Sequence, residues 1–169
     1  MKKLTLLLLL SALIPLAGCA GYRPGSDKPS KLANITKLAV PTFGNRTLVP
    51  QIEVMTTNAV IKRLQTQGTY QIVSRGDADA ILVGEIADIQ NQQYRAVASN
   101  TLRSAEILSR LRLVYYVTDK NGTKLFDGQK IGTSHQVLDP NFQLTERQIL
   151  ADCAEQLAKD LSSELTEGW

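Results

Sequence analysis

The sequence has few cysteines and histidines, two residue types that often form catalytic and metal-binding centres. Its 169 residues include two cysteines, Cys19 and Cys153, and a single histidine, His135. One histidine excludes a multi-histidine metal site, and a serine or cysteine triad would have to be built around that one ring. A glycine-rich phosphate cradle is also missing from the sequence. We therefore expect a non-enzymatic protein without a metal site or a cofactor.

The first 18 residues have the pattern of an export signal. Lys2 and Lys3 precede 15 residues without charge, from Leu4 to Gly18. A membrane-spanning helix needs about 20 apolar residues, so this run is short for an anchor and long enough for the apolar core of a signal peptide. We therefore assign residues 1–18 to a cleaved targeting segment.

The signal ends in the sequence Leu16-Ala17-Gly18-Cys19, which resembles the lipobox of bacterial lipoproteins. The resemblance implies cleavage before Cys19 and acylation of its thiol and its freed amine by fatty acids such as palmitate. Several acyl chains on one residue give stable membrane attachment. Ala20 follows where an aspartate would indicate retention at the inner membrane, so the expected location is the periplasmic side of the outer membrane.

The mature chain, residues 19–169, is nearly neutral. Loss of Lys2 and Lys3 leaves 17 basic residues against 16 acidic ones, which argues against nucleic acid as a partner. Residues 19–33 are rich in glycine, proline, serine and charge, and predict a flexible tether after the lipidated cysteine. Residues 34–169 are then a single domain. Cys153 has no intramolecular disulfide partner in it and is expected in the core.

Hydrophobic periodicity predicts the first half of this domain. A strand is expected around Leu38 to Val40, followed by an amphipathic helix with Pro50 in its first turn and Gly68 just past its end. The next two β-rich pieces, TYQIVS and AILVGEIADI, are expected to form one interrupted strand. A polar stretch from Tyr94 to Ser104 follows it.

The second half is predicted as a hairpin and a helix. Residues 107–117 alternate between two faces of a long strand, and Asn121-Gly122 predicts a tight turn into an antiparallel neighbour. The last helix has one apolar face, formed by Ile149, Leu150, Cys153, Ala154, Leu157, Leu161 and Leu165. The order β-α-β-β-β-α predicts an α+β fold, a two-layer sandwich with two helices packed on one face of a four-stranded sheet.

Two segments resemble motifs of a known family. KLAVPTFGNRT followed by a helix, and then YQIVSRGDADAILVGEI, are similar to the "AVPxFxNRT" and "ADAxLxGEI" segments of LptE, the outer-membrane lipopolysaccharide-assembly lipoproteins; residues 38–47 and 77–86 carry the motifs. The resemblance implies a protein that partners the β-barrel lipopolysaccharide translocon LptD and helps assemble lipopolysaccharide in the outer leaflet. Similar short segments occur in lipoproteins of curli secretion and in activators of peptidoglycan synthases, which are the alternative.

The charge distribution predicts where lipid binds. Residues 94–112 contain four arginines against Glu106 alone, whereas residues 139–167 have seven acidic residues and two basic ones. Arginine binds phosphate through two parallel hydrogen bonds, and the basic segment also contains aromatic and aliphatic residues. We expect Arg95, Arg103 and Arg147 to surround Tyr94 at one end of the sheet and to bind lipopolysaccharide.

A second set of residues is expected to meet the partner. Arg110, Arg112 and Tyr116 occupy alternate positions of the long strand and therefore share one face of the sheet. The inner wall of a large β-barrel is polar. These three residues are the predicted contact with that wall.

Overall fold

The computed structural model describes residues 28–97, 100–137 and 142–167. The predicted signal peptide, the lipidation site Cys19 and the tether up to residue 27 lie outside them. Six strands and two helices follow in the order β1 (Lys37–Ala39), β2 (Gly44–Asn45), α1 (Ile52–Gln67), β3 (Gln71–Ile72), β4 (Ala80–Val97), β5 (Asn100–Asp119), β6 (Lys124–Val137) and α2 (Phe142–Glu167). The predicted α+β class with two helices is confirmed, although the sheet has more than four strands.

The first part of the sheet is parallel, and here the predicted single interrupted strand is wrong. β3 and β4 are separate strands, and β1 lies between them, parallel to both. The short strand β2 also pairs with β4, in parallel. The turn that was expected to interrupt one strand instead carries the chain across β1.

The second part is an antiparallel meander. β4 pairs with β5 and β5 with β6, and the predicted hairpin at Asn121-Gly122 is confirmed, with Gly122 at φ 86°. The described parts of the polar stretch from Tyr94 to Ser104 are strand, because β4 continues to Val97 and β5 begins at Asn100. The register between them shifts three times beyond Gln93, so this end of the hairpin is irregular.

The two helices cover one face of the sheet and run in the same direction. α1 begins beside the start of α2, since Ile52 and Arg147 line the same cavity. Lys62 and Glu155 form an ion pair farther along both helices, and beyond the end of α1 the Tyr70 hydroxyl donates to the Leu165 carbonyl oxygen at 2.6 Å. The molecule therefore has one end where both helices begin and another where both end.

The predicted boundaries of α1 are close to those observed. Gly68 ends the helix at φ 68°, a conformation that suits glycine, and its N–H donates to the Leu64 carbonyl oxygen at 3.1 Å. At the other end Pro50 precedes the helix instead of lying in its first turn. Gln51 is the residue before Ile52, and it is the only non-glycine residue of the described chain with a positive φ, 66°.

The core lies between the helices and the sheet, and the predicted apolar face of the last helix is confirmed. Its seven members, Ile149, Leu150, Cys153, Ala154, Leu157, Leu161 and Leu165, are all buried. Gly132 of β6 makes this packing possible, because a Cβ at that position would lie 1.9 Å from the Cys153 carbonyl oxygen. Gly132 therefore marks a close approach of the α2 backbone to the strand.

The ordered domain starts before residue 34. Ser30–Leu32 form a 3-10 turn, and Leu32 is buried in the core. The Lys28 ammonium lies 4.5 Å from the centre of the Tyr70 ring and donates to the Ile35 carbonyl oxygen at 2.7 Å. Residues 28–33 are therefore packed onto the domain, and the predicted tether is shorter at its C-terminal end. The chain enters at the end where both helices finish.

Candidate functional site

The helix-free face of the sheet is the first candidate surface. Val114 and Tyr116 of β5 and Ile131 of β6 are large hydrophobic residues with 42, 40 and 46% of their surface exposed. The strand alternation that directs Leu113 and Tyr115 into the core directs their neighbours to this open face. Arg110 and Arg112 are half-buried at alternate positions of the same strand, so the three predicted partner-contact residues do share one face.

The open face is polar as well as apolar. Arg112 donates from Nε and Nη2 to one oxygen of Asp88, its cross-strand neighbour on β4. The Lys124 ammonium lies 5.9 Å from the centre of the Tyr116 ring. Within the described ranges Arg110 forms no ion pair, and it lies between Gln90 and Thr133 in the strand register. The face therefore offers the Arg110 guanidinium, the exposed ring of Tyr116 and the aliphatic side chains of Val114 and Ile131. The guanidinium of Arg112 is already bound to Asp88.

The predicted lipid-binding residues lie at the end where the helices begin. Arg95 pairs with Glu106 in the backbone register, and Ala96 pairs with Ser104, so the backbones of Arg95 and Arg103 are close together at the irregular end of the β4–β5 hairpin. Arg147 is exposed near the start of α2. The structure describes the backbone of Tyr94, Arg95 and Arg103 but not their side chains. Their role as a phosphate site stays a prediction.

A groove that the sequence did not predict lies beside this end. Two adjoining cavities of about 370 and 450 Å³ share Leu48, Val49, Glu146 and Leu150 in their walls. The first also contacts apolar side chains of the sheet and α2, among them Ile89, Ile107 and Ile149, with Arg46 at its edge. The second runs along the start of α1 to Arg147. Sequence periodicity gives no signal for such a groove, because a loop, two strands and a distant helix form it together.

The loop over this groove is held by Asn45. Its side-chain oxygen accepts from the Thr47 N–H and the Thr47 hydroxyl, both at 2.8 Å, and its side-chain nitrogen donates to the Val49 carbonyl oxygen and to Glu53 Oε2. All four hydrogen-bonding positions of the amide are thus used by the loop and the first turn of α1. The Asn-Arg-Thr part of the family-like motif therefore fixes the backbone around Leu48, whose side chain is fully exposed.

Buried titratable groups of the described chain stabilise the fold and do not converge on a reactive centre. Burial raises the pKa of Tyr70 to about 12, and burial with nearby Asp152 raises the pKa of Cys153 to about 11. Burial and a 2.5 Å hydrogen bond to Glu164 raise the pKa of Tyr115 well above its usual value. Within the described ranges, His, Cys, Asp and Glu side chains form no group of three that could hold a metal ion. The helices there include none that is long and apolar enough to cross a membrane.

Comparison with known sequence families identifies the chain. The sequence model of LptE, described as lipopolysaccharide-assembly, matches residues 35–167, which include every strand and all but the beginning of the described domain. The chain belongs to the LptE family. LptE is a family of non-enzymatic lipoproteins that act in lipopolysaccharide assembly. No curated protein sequence matches the chain.

Several proteins of known structure have a fold similar to that of this chain. A PelC dodecamer from Paraburkholderia phytofirmans is 18% identical with a TM-score of 0.53, over 83% of this chain and 96% of that one. Protein XCC0632 from Xanthomonas campestris is 10% identical with a TM-score of 0.52, over 79% and 85% of the two chains. Uncharacterized lipoprotein B from Nitrosomonas europaea is 12% identical with a TM-score of 0.50, over 76% and 83%. At these identities the likeness shows a shared fold alone.

Proposed function

We propose that this LptE family member is a lipid-anchored outer-membrane protein, acylated at Cys19, that partners the β-barrel translocon LptD and helps assemble lipopolysaccharide in the outer leaflet. The observation that carries the partner assignment is the open face of the sheet. One face of β4, β5 and β6 is covered by helices, whereas the other exposes Val114, Tyr116 and Ile131 beside charged residues.

A surface of this kind fits the inner wall of a large barrel. The wall is polar, and exposed aromatic and arginine side chains are the residue types that contribute most to binding at protein interfaces. Arg110 and Tyr116 are the best placed of the predicted contacts. Arg112 contributes less directly, because its guanidinium is bound to Asp88.

Copurification tests the partner assignment. Tagged, acylated protein extracted from outer membranes is expected to bring down LptD, and Arg110→Asp with Tyr116→Asp is expected to reduce the yield at least tenfold. Val54→Asp is the matched control, because Val54 is 44% exposed but lies on α1 in the helical layer. Recovery of a homo-oligomeric ring or of a peptidoglycan synthase in place of a barrel would support the curli-type or synthase-activator alternative and refute the LptD assignment.

The lipid-binding part of the proposal rests on Arg95, Arg103 and Arg147 around Tyr94. An exposed ion pair contributes about 0 to 1 kcal/mol, so single substitutions are expected to be nearly silent. Arg95→Asp with Arg103→Asp is expected to weaken lipopolysaccharide binding markedly, and binding by the unaltered protein is expected to weaken with salt. A folded double variant that binds as tightly as the unaltered protein would show that this end is a solvated hairpin.

The lipid anchor is tested separately. Cys19→Ala is expected to leave the precursor uncleaved and without added acyl mass, because the proposed acylation site is lost. Intact-mass measurement of the protein from membranes is the readout. Unaltered protein that carries no added mass on Cys19 would contradict lipid anchoring. It would not affect the proposal that the open face binds LptD, which the copurification experiment tests.

A further inference from the structure

We propose that the groove beneath the Leu48 loop binds an acyl chain of lipid A, the anionic membrane-embedded part of lipopolysaccharide. This inference rests on the proposed function and adds a subsite to it. The groove is defined by the loop residues 46–51, the walls contributed by β4 and β5, and the start of α2. It lies beside the predicted arginine cluster but shares only Arg147 with it.

The size and shape of the groove fit an extended chain. Its two cavities, about 370 and 450 Å³, lie within the range of about 300 to 1,000 Å³ that is typical of small-molecule sites. They adjoin along Leu48, Val49 and Leu150, so the space is elongated. One end opens between the loop and the sheet, and the other follows the first turns of α1.

The walls favour hydrocarbon over peptide. Three of the polar side chains around the first cavity already have partners: Asp88 binds Arg112, the Ser109 hydroxyl donates to Asn91 at 2.7 Å, and Thr47 donates to Asn45. A peptide inserted here would find few partners for its backbone N–H and C=O groups, and unpaired buried backbone groups are unfavourable. An acyl chain has no hydrogen-bonding groups that need partners, and it can pack against Ile89, Ile107 and Ile149.

The rim supplies charge for the head group. The structure gives Arg147 no ion pair within the described ranges, and it is exposed at one edge. Arg46, at the other edge, is paired with Glu85 only at 3.4 Å, with both side chains largely in solvent. An exposed pair of this kind contributes little, so a phosphate can displace it. Of the nearby carboxylates, Asp88 is held by Arg112, whereas Glu146 and a displaced Glu85 oppose an anion.

The loop is preorganised to keep the groove open. The four hydrogen bonds of Asn45 and the left-handed backbone of Gln51 fix the loop that carries Leu48, whose exposed side chain stands at the edge of both cavities. In this position Leu48 can contact an acyl chain that enters the groove without any change of the loop. Preorganisation of this kind favours binding, because the loop loses little freedom when the ligand arrives.

Photo-crosslinking in cells tests the position of the lipid. Full-length protein that carries p-benzoylphenylalanine in place of Leu48 is expected to form an ultraviolet-dependent crosslink to lipopolysaccharide, detected by immunoblot. The same probe in place of Val54, also exposed but outside the groove, is expected to give at least fivefold less. Equal crosslinking at both positions, crosslinks at position 48 to protein alone, or equal capture of phosphatidylglycerol would overturn the proposal.

Binding by the purified full chain separates this inference from the proposed function. Leu48→Glu is expected to weaken lipid A binding at least tenfold, whereas Leu48→Met and Val54→Glu bind like the unaltered protein. Leu48 has no core contacts to lose, so unchanged thermal melting confirms that each variant is folded. If Leu48→Glu binds normally while Arg95→Asp with Arg103→Asp does not, the groove inference fails and the lipid-binding function stands. If the unaltered protein binds no lipopolysaccharide, both fail.

Discussion

The two faces of the sheet are made by the same strands and have opposite properties. On β5, Leu111, Leu113, Tyr115 and Val117 are at most 1% exposed, whereas Val114 and Tyr116 between them are about two-fifths exposed. The closed face is bound to α2 by close packing and by a chain of polar contacts from Tyr115 through Glu164 to Lys130. Alternate residues of one strand therefore stabilise the core on one face and form the proposed partner surface on the other.

The largest loss of stability is expected from Gly132→Ala on the closed face. The added Cβ would overlap the Cys153 carbonyl oxygen, so α2 must move away from β6, and overpacking of this severity costs about 3 kcal/mol. Urea denaturation measures the loss. Gly76→Ala is the control, since a Cβ there meets nothing within 4 Å, and its effect should stay within about 0.5 kcal/mol. Equal stability of the two variants would mean that α2 does not approach β6 closely.

Cys153→Ser is expected to cost about 1 to 3 kcal/mol, because it places a hydroxyl in an apolar, fully buried position. The Ser109 carbonyl oxygen, 3.5 Å from the thiol sulfur, limits the loss if the hydroxyl reaches it. The native thiol should also react slowly with a bulky reagent, since it is buried and its pKa is raised to about 11. Rapid labelling of the folded protein at neutral pH would contradict the packing of α2.

A pair of tyrosine substitutions compares the two faces directly. Tyr115→Phe removes the hydrogen bond to Glu164 and is expected to cost about 1.5 to 3 kcal/mol, the usual range for a bond to a charged group. Tyr116→Phe, one residue away on the open face, is expected to stay within about 0.5 kcal/mol. Denaturation midpoints of the two variants give the comparison, which fails if Tyr116→Phe is the more damaging.

The same tyrosine predicts a pH dependence. The pKa of Tyr115 lies above its ordinary value of 10.0 in the folded protein, through burial first and Glu164 second. Above pH 10 the unfolded chain loses this proton while the folded protein keeps it, so the free energy of unfolding falls as pH rises. Tyr115→Phe should be less stable near neutral pH but lose less stability on alkalinisation. Parallel stability profiles of the two proteins between pH 9 and 11 would exclude this contribution.

The smallest effect on stability is expected on the open face. Arg110→Asp with Tyr116→Asp should change the free energy of unfolding by less than about 1 kcal/mol, because neither side chain is part of the core. Copurification of LptD should nevertheless fall sharply. A double variant that unfolds readily would mean that this face is part of the fold, and the contrast between the two faces would be lost.

Local patterns predicted the parts of the fold that local contacts build. The alternation in β5, the turn at Asn121-Gly122 and the apolar face of α2 each depend on residues within a few positions of one another, and all three are confirmed. The place of β1 between β3 and β4 depends on parallel pairing between residues that are 34 and 42 positions apart, for which the sequence gives no register. The groove is formed by a loop, two strands and the helix starts, which are also distant in sequence, so local patterns did not predict it.

The common direction of α1 and α2 has an electrostatic consequence. Antiparallel helices largely cancel their peptide dipoles, whereas here both N-termini point to the end that holds Arg46 and Arg147. Each helix start carries the equivalent of about half a positive charge, so the two together add roughly one elementary charge to that end. The backbone itself therefore makes the end opposite Lys28 and Tyr70 attractive to anions, independently of any single side chain.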